Sequence, residues 1–249
     1  FMASILPENA MFENDIDTTA HRFFSEHGIC KLMKKSNFTK TKGASCFQIF
    51  RFIFLLVFTG KNLYRTLQLH QDEIPFAKDC IYRFLNNCHY NWKKLLFLIA
   101  QNVVHNYLTP LTSEQRLNVL IIDDSAYRRN RSKKVELLSR FRDHVENRYF
   151  KGFRMLTLGW SDGNSFVPLS FNHLASKEEK QLCKIDPSID KRSIGYRRRK
   201  ESVQKSTDAL LHLLEQAKPY NFPAKHLLFD SWFAFPSIIA KVKERYGLH

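Results

Sequence analysis

The chain has 249 residues, long enough to bury a core in one or two domains, and 44% of them are hydrophobic. Its 39 Lys and Arg outnumber its 24 Asp and Glu, and the net charge of +15 favours a polyanionic partner. The longest apolar run, residues 46–58, contains Arg51 and is shorter than the roughly 20 residues that cross a membrane. Nucleic acid is therefore favoured over a membrane as the partner.

The five cysteines are scattered along the chain, and no pair has the spacing of zinc ligands. An odd number of thiols without a pairing pattern is typical of proteins in a reducing cytosol. We therefore expect a cytoplasmic protein without a structural zinc site.

Residues 1–112 predict an all-helical N-terminal domain. Apolar side chains recur at helical spacing in residues 47–54 and again in residues 95–103, and glycine and proline are sparse. Residues 92–108 predict one long helix that ends near Pro110.

Two shorter helices of this domain form a candidate DNA-binding element. Residues 62–69 and 76–87 flank a turn, and Pro75 suits the first position of the second helix. That helix would present three side chains to DNA, namely Lys78, Tyr82 and Arg83. The pattern fits both a helix-turn-helix and a plain pair of packed helices with solvated charges.

From residue 113 onward, strand patterns take over. Residues 117–122 are apolar and β-branched, and they predict a buried strand that ends at Asp123. Residues 153–160 and 165–171 predict a hairpin around an Asp-Gly-Asn turn. The charged residues 174–200 predict a flexible excursion.

The remainder alternates helix and strand. One face of an amphipathic helix is marked by Val203, Leu210, Leu214 and Ala217, and Pro219 closes the helix. A second short apolar strand then ends at Asp230, and another helix follows it. The order strand, hairpin, helix, strand, helix predicts an α/β domain over residues 113–249.

The sharpest feature is that two apolar strands each end in an aspartate, Asp123 and Asp230. A connection through a hairpin and a helix is long enough to return the second strand parallel to the first, which would bring both carboxylates to one site. Two adjacent carboxylates suit Mg²⁺ or Mn²⁺, and a basic chain suits a phosphodiester substrate. The alternative is that each Asp only forms a turn or caps a helix. The neighbouring Asp124 would point to the opposite face of the strand.

Two basic clusters lie near these acids in the sequence. The first directly follows the first strand and includes Arg128 and Arg129. The second precedes the helix that leads to the second strand and consists of Arg197, Arg198, Arg199 and Lys200. Charge runs are commonly solvated surface, but the position of both clusters predicts phosphate contacts and a steep salt dependence of DNA binding.

Three strings in order resemble the DDE-type transposases of bacterial insertion sequences: LIIDDS at residues 120–125, KRSIGYRRRK at residues 191–200 and LFDSWF at residues 228–233. The resemblance covers nearly the whole chain and is closest to cut-and-paste transposases. It implies a ribonuclease H-like core, with a mixed sheet flanked by helices and incomplete at its end, after an all-α DNA-binding domain.

The resemblance implies that Asp123 is the first catalytic aspartate and Asp230 the second, and that both bind Mg²⁺ or Mn²⁺ in a two-metal site. It also implies double-stranded DNA as the partner, both at element ends and at the target. A homodimer at the bacterial nucleoid would synapse two ends. The helical region would then recognise those ends.

The resemblance further implies a catalytic Glu on a later helix, beyond residue 249. Glu201 has the wrong spacing for this role and precedes Asp230. Because the chain begins with Phe1 before Met2 and stops in a helix-forming segment, we interpret it as a truncated transposase that is inactive alone.

Three functions fit these expectations. The first is a transposase fragment whose parent cuts and joins DNA. The second is a non-catalytic DNA-binding protein, such as a truncated transposase that competes for element ends. The third is a ribonuclease H-like nuclease that hydrolyses DNA without strand transfer.

Overall fold

The computed structural model describes most of the chain. The described residues are 6–69, 74, 76–113, 116–143 and 146–249. The chain divides into two compact units, Phe1–Asn91 and Trp92–His249. This division precedes the predicted boundary between residues 112 and 113, because the helix that starts at Trp92 packs on the sheet of the second unit.

The first unit is helical throughout its described part. Its helices are α1 (Leu6–Glu26), α2 (Ile29–Lys35), α3 (Cys46–Phe58), α4 (Leu63–Leu69) and α5 (Lys78–Leu85). Helix α3 has a capping box, in which the Ser45 hydroxyl accepts from the Gln48 amide and the Gln48 side chain accepts from the Ser45 amide. Buried apolar side chains such as Ile29, Ile49 and Ile81 form the core of this unit.

No single helix in the described part of the chain is long and apolar enough to cross a membrane. Helices α3 and α4 pass such a test of length and composition only when taken together, and the chain bends by 107° between them. Helix α3 also carries Arg51, whose Nη2 lies 2.5 Å from the Asp17 carboxylate of α1.

The second unit combines helices with a five-stranded sheet. Its helices are α6 (Trp92–Val103), α7 (Ile194–Glu201), α8 (Ser206–Ala217) and α9 (Pro236–Tyr246). Its strands are β1 (Val119–Arg128), β2 (Ser139–Asp143), β3 (Arg148–Ser161), β4 (Phe166–Leu174) and β5 (His226–Phe229). This mixed sheet with flanking helices, preceded by a helical region, confirms the predicted fold class.

Strand β1 lies between β3 and β5, antiparallel to the first and parallel to the second. The other edge of β3 pairs with β2 over residues 148–152 and with β4 over residues 154–161. The β3–β4 hairpin turns at Asp162, whose carboxylate accepts hydrogen bonds from the amides of Asn164 and Ser165. The predicted hairpin is therefore confirmed, with longer strands than expected.

One face of the sheet carries the main hydrophobic core. Leu120 and Ile122 of β1 and Leu156, Leu158 and Trp160 of β3 are buried there, because alternate residues of a strand point to the same side. Helices α6 and α8 cover this face through contacts with β4, and α8 also contacts β3. Because Leu120 and Ile122 point into this core, the odd-numbered residues of β1 between and after them face the opposite side of the sheet.

Three details of the predicted elements are wrong. Strand β1 does not end at Asp123 but continues to Arg128, because the longer β3 provides pairing partners as far as Gly152. Residues 174–200 are not wholly a flexible excursion, since helix α7 begins there after the Ser193 cap. Strand β2 was not predicted, because its five residues include a single apolar side chain, Phe141, and no β-branched residue.

Candidate active site

Two aspartates occupy neighbouring positions on parallel strands. In the register of β1 and β5, Ile121 is opposite Leu228 and Ile122 is opposite Phe229. The next residues are Asp123, within β1, and Asp230, directly after the end of β5. Because neighbouring strands lie about 4.8 Å apart, the register brings the backbones of these two residues close together.

The site lies on the face of the sheet opposite the main core. Along β5, Leu227 is buried in the core whereas Leu228 is 51% exposed. Phe229 packs against the core again, so alternation turns Asp230 to the same side as Asp123. Both aspartates are exposed to solvent.

Each carboxylate is oriented by a nearby serine. The Ser125 hydroxyl donates to Asp123 Oδ2 at 2.7 Å, and the Ser231 hydroxyl donates to Asp230 Oδ1 at 3.0 Å. The Trp232 amide also donates to Asp230 Oδ1 at 3.4 Å, so Asp230 caps the short 3₁₀ turn that follows β5. The capping role expected as the alternative thus accompanies the pairing with Asp123 and uses only one of the two oxygens.

The adjacent Asp124 differs sharply from Asp123. It points to the core side of β1, where its carboxylate forms an ion pair with Arg154 of β3 and its side chain is 11% exposed. Burial lowers the pKa of the Arg154 guanidinium, which shows how little water reaches this pair. Asp124 is therefore a structural residue, and its position agrees with the prediction that it faces away from Asp123.

The pair Asp123 and Asp230 suits a divalent cation in its chemistry. Both supply carboxylate oxygens, which Mg²⁺ and Mn²⁺ prefer. No salt bridge between described residues engages either carboxylate. No third His, Cys, Asp or Glu side chain joins them in the portion of the chain that was described. The pair therefore offers two carboxylate groups of the kind that binds such a cation.

The first basic cluster lies at the far end of β1. The Arg128 guanidinium forms ion pairs with Asp143 and Glu146, which also hold the pKa of Arg128 above its usual range. The exposed Arg129 guanidinium lies over the Tyr127 ring, 4.4 Å from its centroid, and donates to the Tyr127 hydroxyl. Arg129 therefore offers an exposed cation, whereas Arg128 is engaged by two acids.

The second basic cluster forms the last turns of α7, and its four members differ in environment. Arg197 and Lys200 are exposed. Arg199 is half-buried and pairs with Glu136, with Nη2 2.5 Å from the carboxylate. Burial, and secondarily the charge of Arg199, lowers the pKa of Arg198. Of the four side chains, Arg197 and Lys200 are therefore the exposed ones.

Sequence reasoning missed His173 on β4. Its ring stacks between Tyr127 and Phe153, with centroids 5.0 and 5.3 Å away. Burial lowers its pKa from the ordinary 6.5, and the nearby charges of Arg198 and Arg129 lower it further. The charges of one arginine from each basic cluster therefore act on His173. A lone His in a strand pattern gives no signal of this environment.

Trp232, two residues after Asp230, is 54% exposed. Glu201, excluded from the catalytic set on spacing, is held elsewhere: its carboxylate lies 2.5 Å from Lys93 Nζ on the core side.

The candidate DNA-binding residues of the first unit lie on α5. Lys78 Nζ lies 5.5 Å from the centroid of the Tyr64 ring, Tyr82 is exposed, and Arg83 Nε donates to the Asp79 carbonyl of its own helix. Helix α5 begins at Lys78, so Pro75 is not its first residue; Pro75 itself lies outside the described residues.

The sequence profile of the DDE superfamily endonucleases matches residues 41–249, which include both aspartates and the whole sheet. No curated protein and no solved structure gives a significant match. Membership implies a nuclease-type or polynucleotidyl transferase enzyme that acts on DNA and uses divalent metals. Because the match spans most of its length, the chain belongs to the DDE superfamily endonuclease family.

Proposed function

We propose that this chain is a DNA transposase of the insertion-sequence type, which binds element ends and catalyses metal-dependent cleavage and strand transfer. The observation that supports the proposal is the parallel register of β1 and β5, after which Asp123 and Asp230 are the next residues, both exposed and outside the ion pairs between described residues. Adjacent carboxylates repel each other, so a protein that holds them together uses them to bind a cation.

Asp123 and Asp230 would hold Mg²⁺ or Mn²⁺. Paired divalent ions, when bound, supply activation of the attacking oxygen and stabilisation of the leaving oxygen in phosphodiester chemistry. Ser125 and Ser231 keep one oxygen of each carboxylate oriented and leave the other for the cation. The third acidic ligand that the family resemblance implies would be a residue other than Asp123 and Asp230.

The DNA backbone would be held by exposed cations of the second unit. Arg129, Arg197 and Lys200 are exposed members of the two clusters, and guanidinium and ammonium groups bind phosphates. We propose supporting roles for Arg128, Arg198 and Arg199. Arg128 and Arg199 form ion pairs with acidic side chains, and Arg198 is partly buried. Trp232, half-exposed beside Asp230, suits stacking on an unpaired base.

The first unit would contribute to end recognition, with Lys78, Tyr82 and Arg83 of α5 contacting DNA. A homodimer would bring two ends together, and each subunit of the dimer would cut and join one end.

A second candidate is a non-catalytic DNA-binding protein that competes for element ends. The observation in its favour is that no third metal-ligating side chain joins Asp123 and Asp230 in the residues that the structure covers. It predicts the same DNA affinity without cleavage.

A single assay separates these functions and a simple nuclease. The full chain is incubated with Mn²⁺ and a labelled plasmid that carries its coding sequence and the flanking DNA. Joined products support a transposase, nicks without joining indicate a nuclease, and binding without cleavage favours the competitor. Asp123→Asn and Asp230→Asn should abolish cleavage yet retain DNA binding. The control Glu244→Gln, at an exposed acid of α9, should retain both cleavage and DNA binding. Cleavage retained by either aspartate variant would remove that residue from the site.

A further inference from the structure

Helices α3 and α4 meet in the geometry of a helix-turn-helix. Their axes differ by 107°, and four residues, 59–62, join them. Helix pairs that bind DNA cross at about 90–120° with a turn of three to four residues that often contains glycine. Gly60 provides that glycine, with a φ of +65° that a residue with a side chain adopts only under strain.

Hydrogen bonds fix both ends of this turn. The Lys61 amide donates to the Leu56 carbonyl at 3.0 Å and closes α3. The Asn62 side-chain oxygen accepts from the Arg65 amide at 3.3 Å and starts α4. The angle between the helices is therefore set by local structure, which is the rigidity that a reading element needs.

Helix α4 buries one side and exposes side chains that read bases on the other. Leu67 is 2% exposed and anchors the helix in the first unit. Arg65 and Gln68, three residues apart and so on one face, are exposed. Gln68 Nε2 donates to the Tyr64 hydroxyl at 2.8 Å, which orients the amide plane. Arginine pairs with guanine and glutamine with adenine through two hydrogen bonds each in the major groove.

The charge of this segment matches a polyanion. Residues 27–69 contain eight Lys and Arg and no Asp or Glu. Of these cations, Arg51 is paired with Asp17, while Lys31, Lys40 and Arg65 are exposed. An uninterrupted stretch of one sign, with hydrogen-bonding side chains on the exposed helix, is the charge pattern of a nucleic-acid-binding surface.

We infer that α3, its turn and α4 form a helix-turn-helix whose α4 reads duplex DNA, with Arg65 and Gln68 contacting base edges in the major groove. This inference rests on the proposed function for its ligand, and it moves base reading one helix earlier than α5. Lys78 of α5 reaches α4 through the Tyr64 ring, so α5 supports the element and contacts phosphates beside it.

The test is selection of binding sites from a pool of random duplexes with the full chain, followed by affinity measurements for the selected site and for a random duplex. The wild-type chain should enrich one motif. Arg65→Ala should weaken binding to that motif about tenfold to hundredfold and to random duplex by less than about threefold. Arg65→Lys keeps the charge but loses the guanidinium fork, so it should retain random-duplex binding and select a different base at one position. Gln68→Ala should relax a second position.

Lys31→Ala on α2 is the charge-matched control and should leave the motif unchanged. All four variants alter exposed side chains of helices. Their free energies of unfolding, measured by thermal unfolding, should therefore remain within about 0.5 kcal/mol of that of the wild type. An identical motif selected by Arg65→Ala and Gln68→Ala would overturn the inference while leaving the transposase proposal intact. Wild-type binding without any motif would also overturn it. A chain that ignores DNA but sediments with phosphatidylglycerol vesicles would refute both proposals.

Discussion

Two carboxylates held at neighbouring strand positions should cost stability until a cation binds. At a separation of about 5 Å, two unit charges repel by about 0.8 kcal/mol in water and about 3 kcal/mol at an effective dielectric constant of 20. Because both Asp123 and Asp230 are exposed, the lower figure applies. We therefore expect Asp123→Asn to raise the free energy of unfolding in the absence of metal by up to about 1 kcal/mol.

With metal, the wild-type protein should instead be more stable than Asp123→Asn. A cation that binds only the folded chain, at a hundred times its Kd, adds about 2.7 kcal/mol to the free energy of unfolding. For a chain of this size that corresponds to a rise in Tm of about 5–10 °C. The wild-type protein should show this rise with Mn²⁺, whereas Asp123→Asn and Asp230→Asn should show little of it.

Asp124→Asn supplies the matched control within the same strand. Loss of the Asp124 carboxylate leaves Arg154 without the partner that it contacts on the core side. The free energy of unfolding of this variant should therefore be lower by about 1–3 kcal/mol. The Mn²⁺-dependent rise in Tm should nevertheless persist. Thermal unfolding of the four proteins, with chelator and with Mn²⁺, measures all of this without catalysis. Equal Mn²⁺ shifts in wild type and Asp123→Asn would refute a shared cation site.

Two further predictions concern the second unit. Lys93 Nζ lies 2.5 Å from Glu201, both side chains are about 15% exposed, and burial lowers the lysine pKa. Lys93→Met should therefore lower the free energy of unfolding by about 3–5 kcal/mol, and adding Glu201→Leu should restore most of it. Urea unfolding measures both changes, and an unchanged stability of Lys93→Met would contradict this prediction. The lowered pKa of His173 means that the unfolded chain binds more protons near pH 6.5, so stability falls as pH drops through 6.5. His173→Phe should lose this component in unfolding midpoints from pH 7.5 to 5, and an unchanged slope would contradict the assignment.

The sequence sufficed for the fold class because its strongest signals are local. The apolar run before Asp123, the Asp-Gly-Asn turn and the short strand before Asp230 each specify an element within a few residues. Their order then allows β5 to return parallel to β1, as the register shows. The prediction that Asp124 faces away from Asp123 also needed only the two-residue period of a strand.

What the sequence could not give depends on distant partners. The extent of β1 follows from the length of β3, which no property of residues 124–128 indicates. Helix α7 is polar on most sides, and its Arg199 is held by Glu136, 63 residues earlier in the chain. Periodicity cannot detect a helix whose stability comes from such ion pairs. The four cations of this helix therefore read as one cluster in the sequence but as two classes in the structure.

Strand alternation explains why two adjacent aspartates came to differ in role. A residue on the core side of β1 is surrounded by side chains from α6, α8 and β3, so a carboxylate there requires a fixed cation, and Asp124 has Arg154. A residue on the other side faces solvent and its parallel neighbour, so its charge stays available for an ion that comes and goes. The one-residue step from Asp124 to Asp123 thus separates the ion pair with Arg154 from the proposed metal site. A shift of β5 by one residue along β1 would end that distinction, because Asp230 would then lie on the core side.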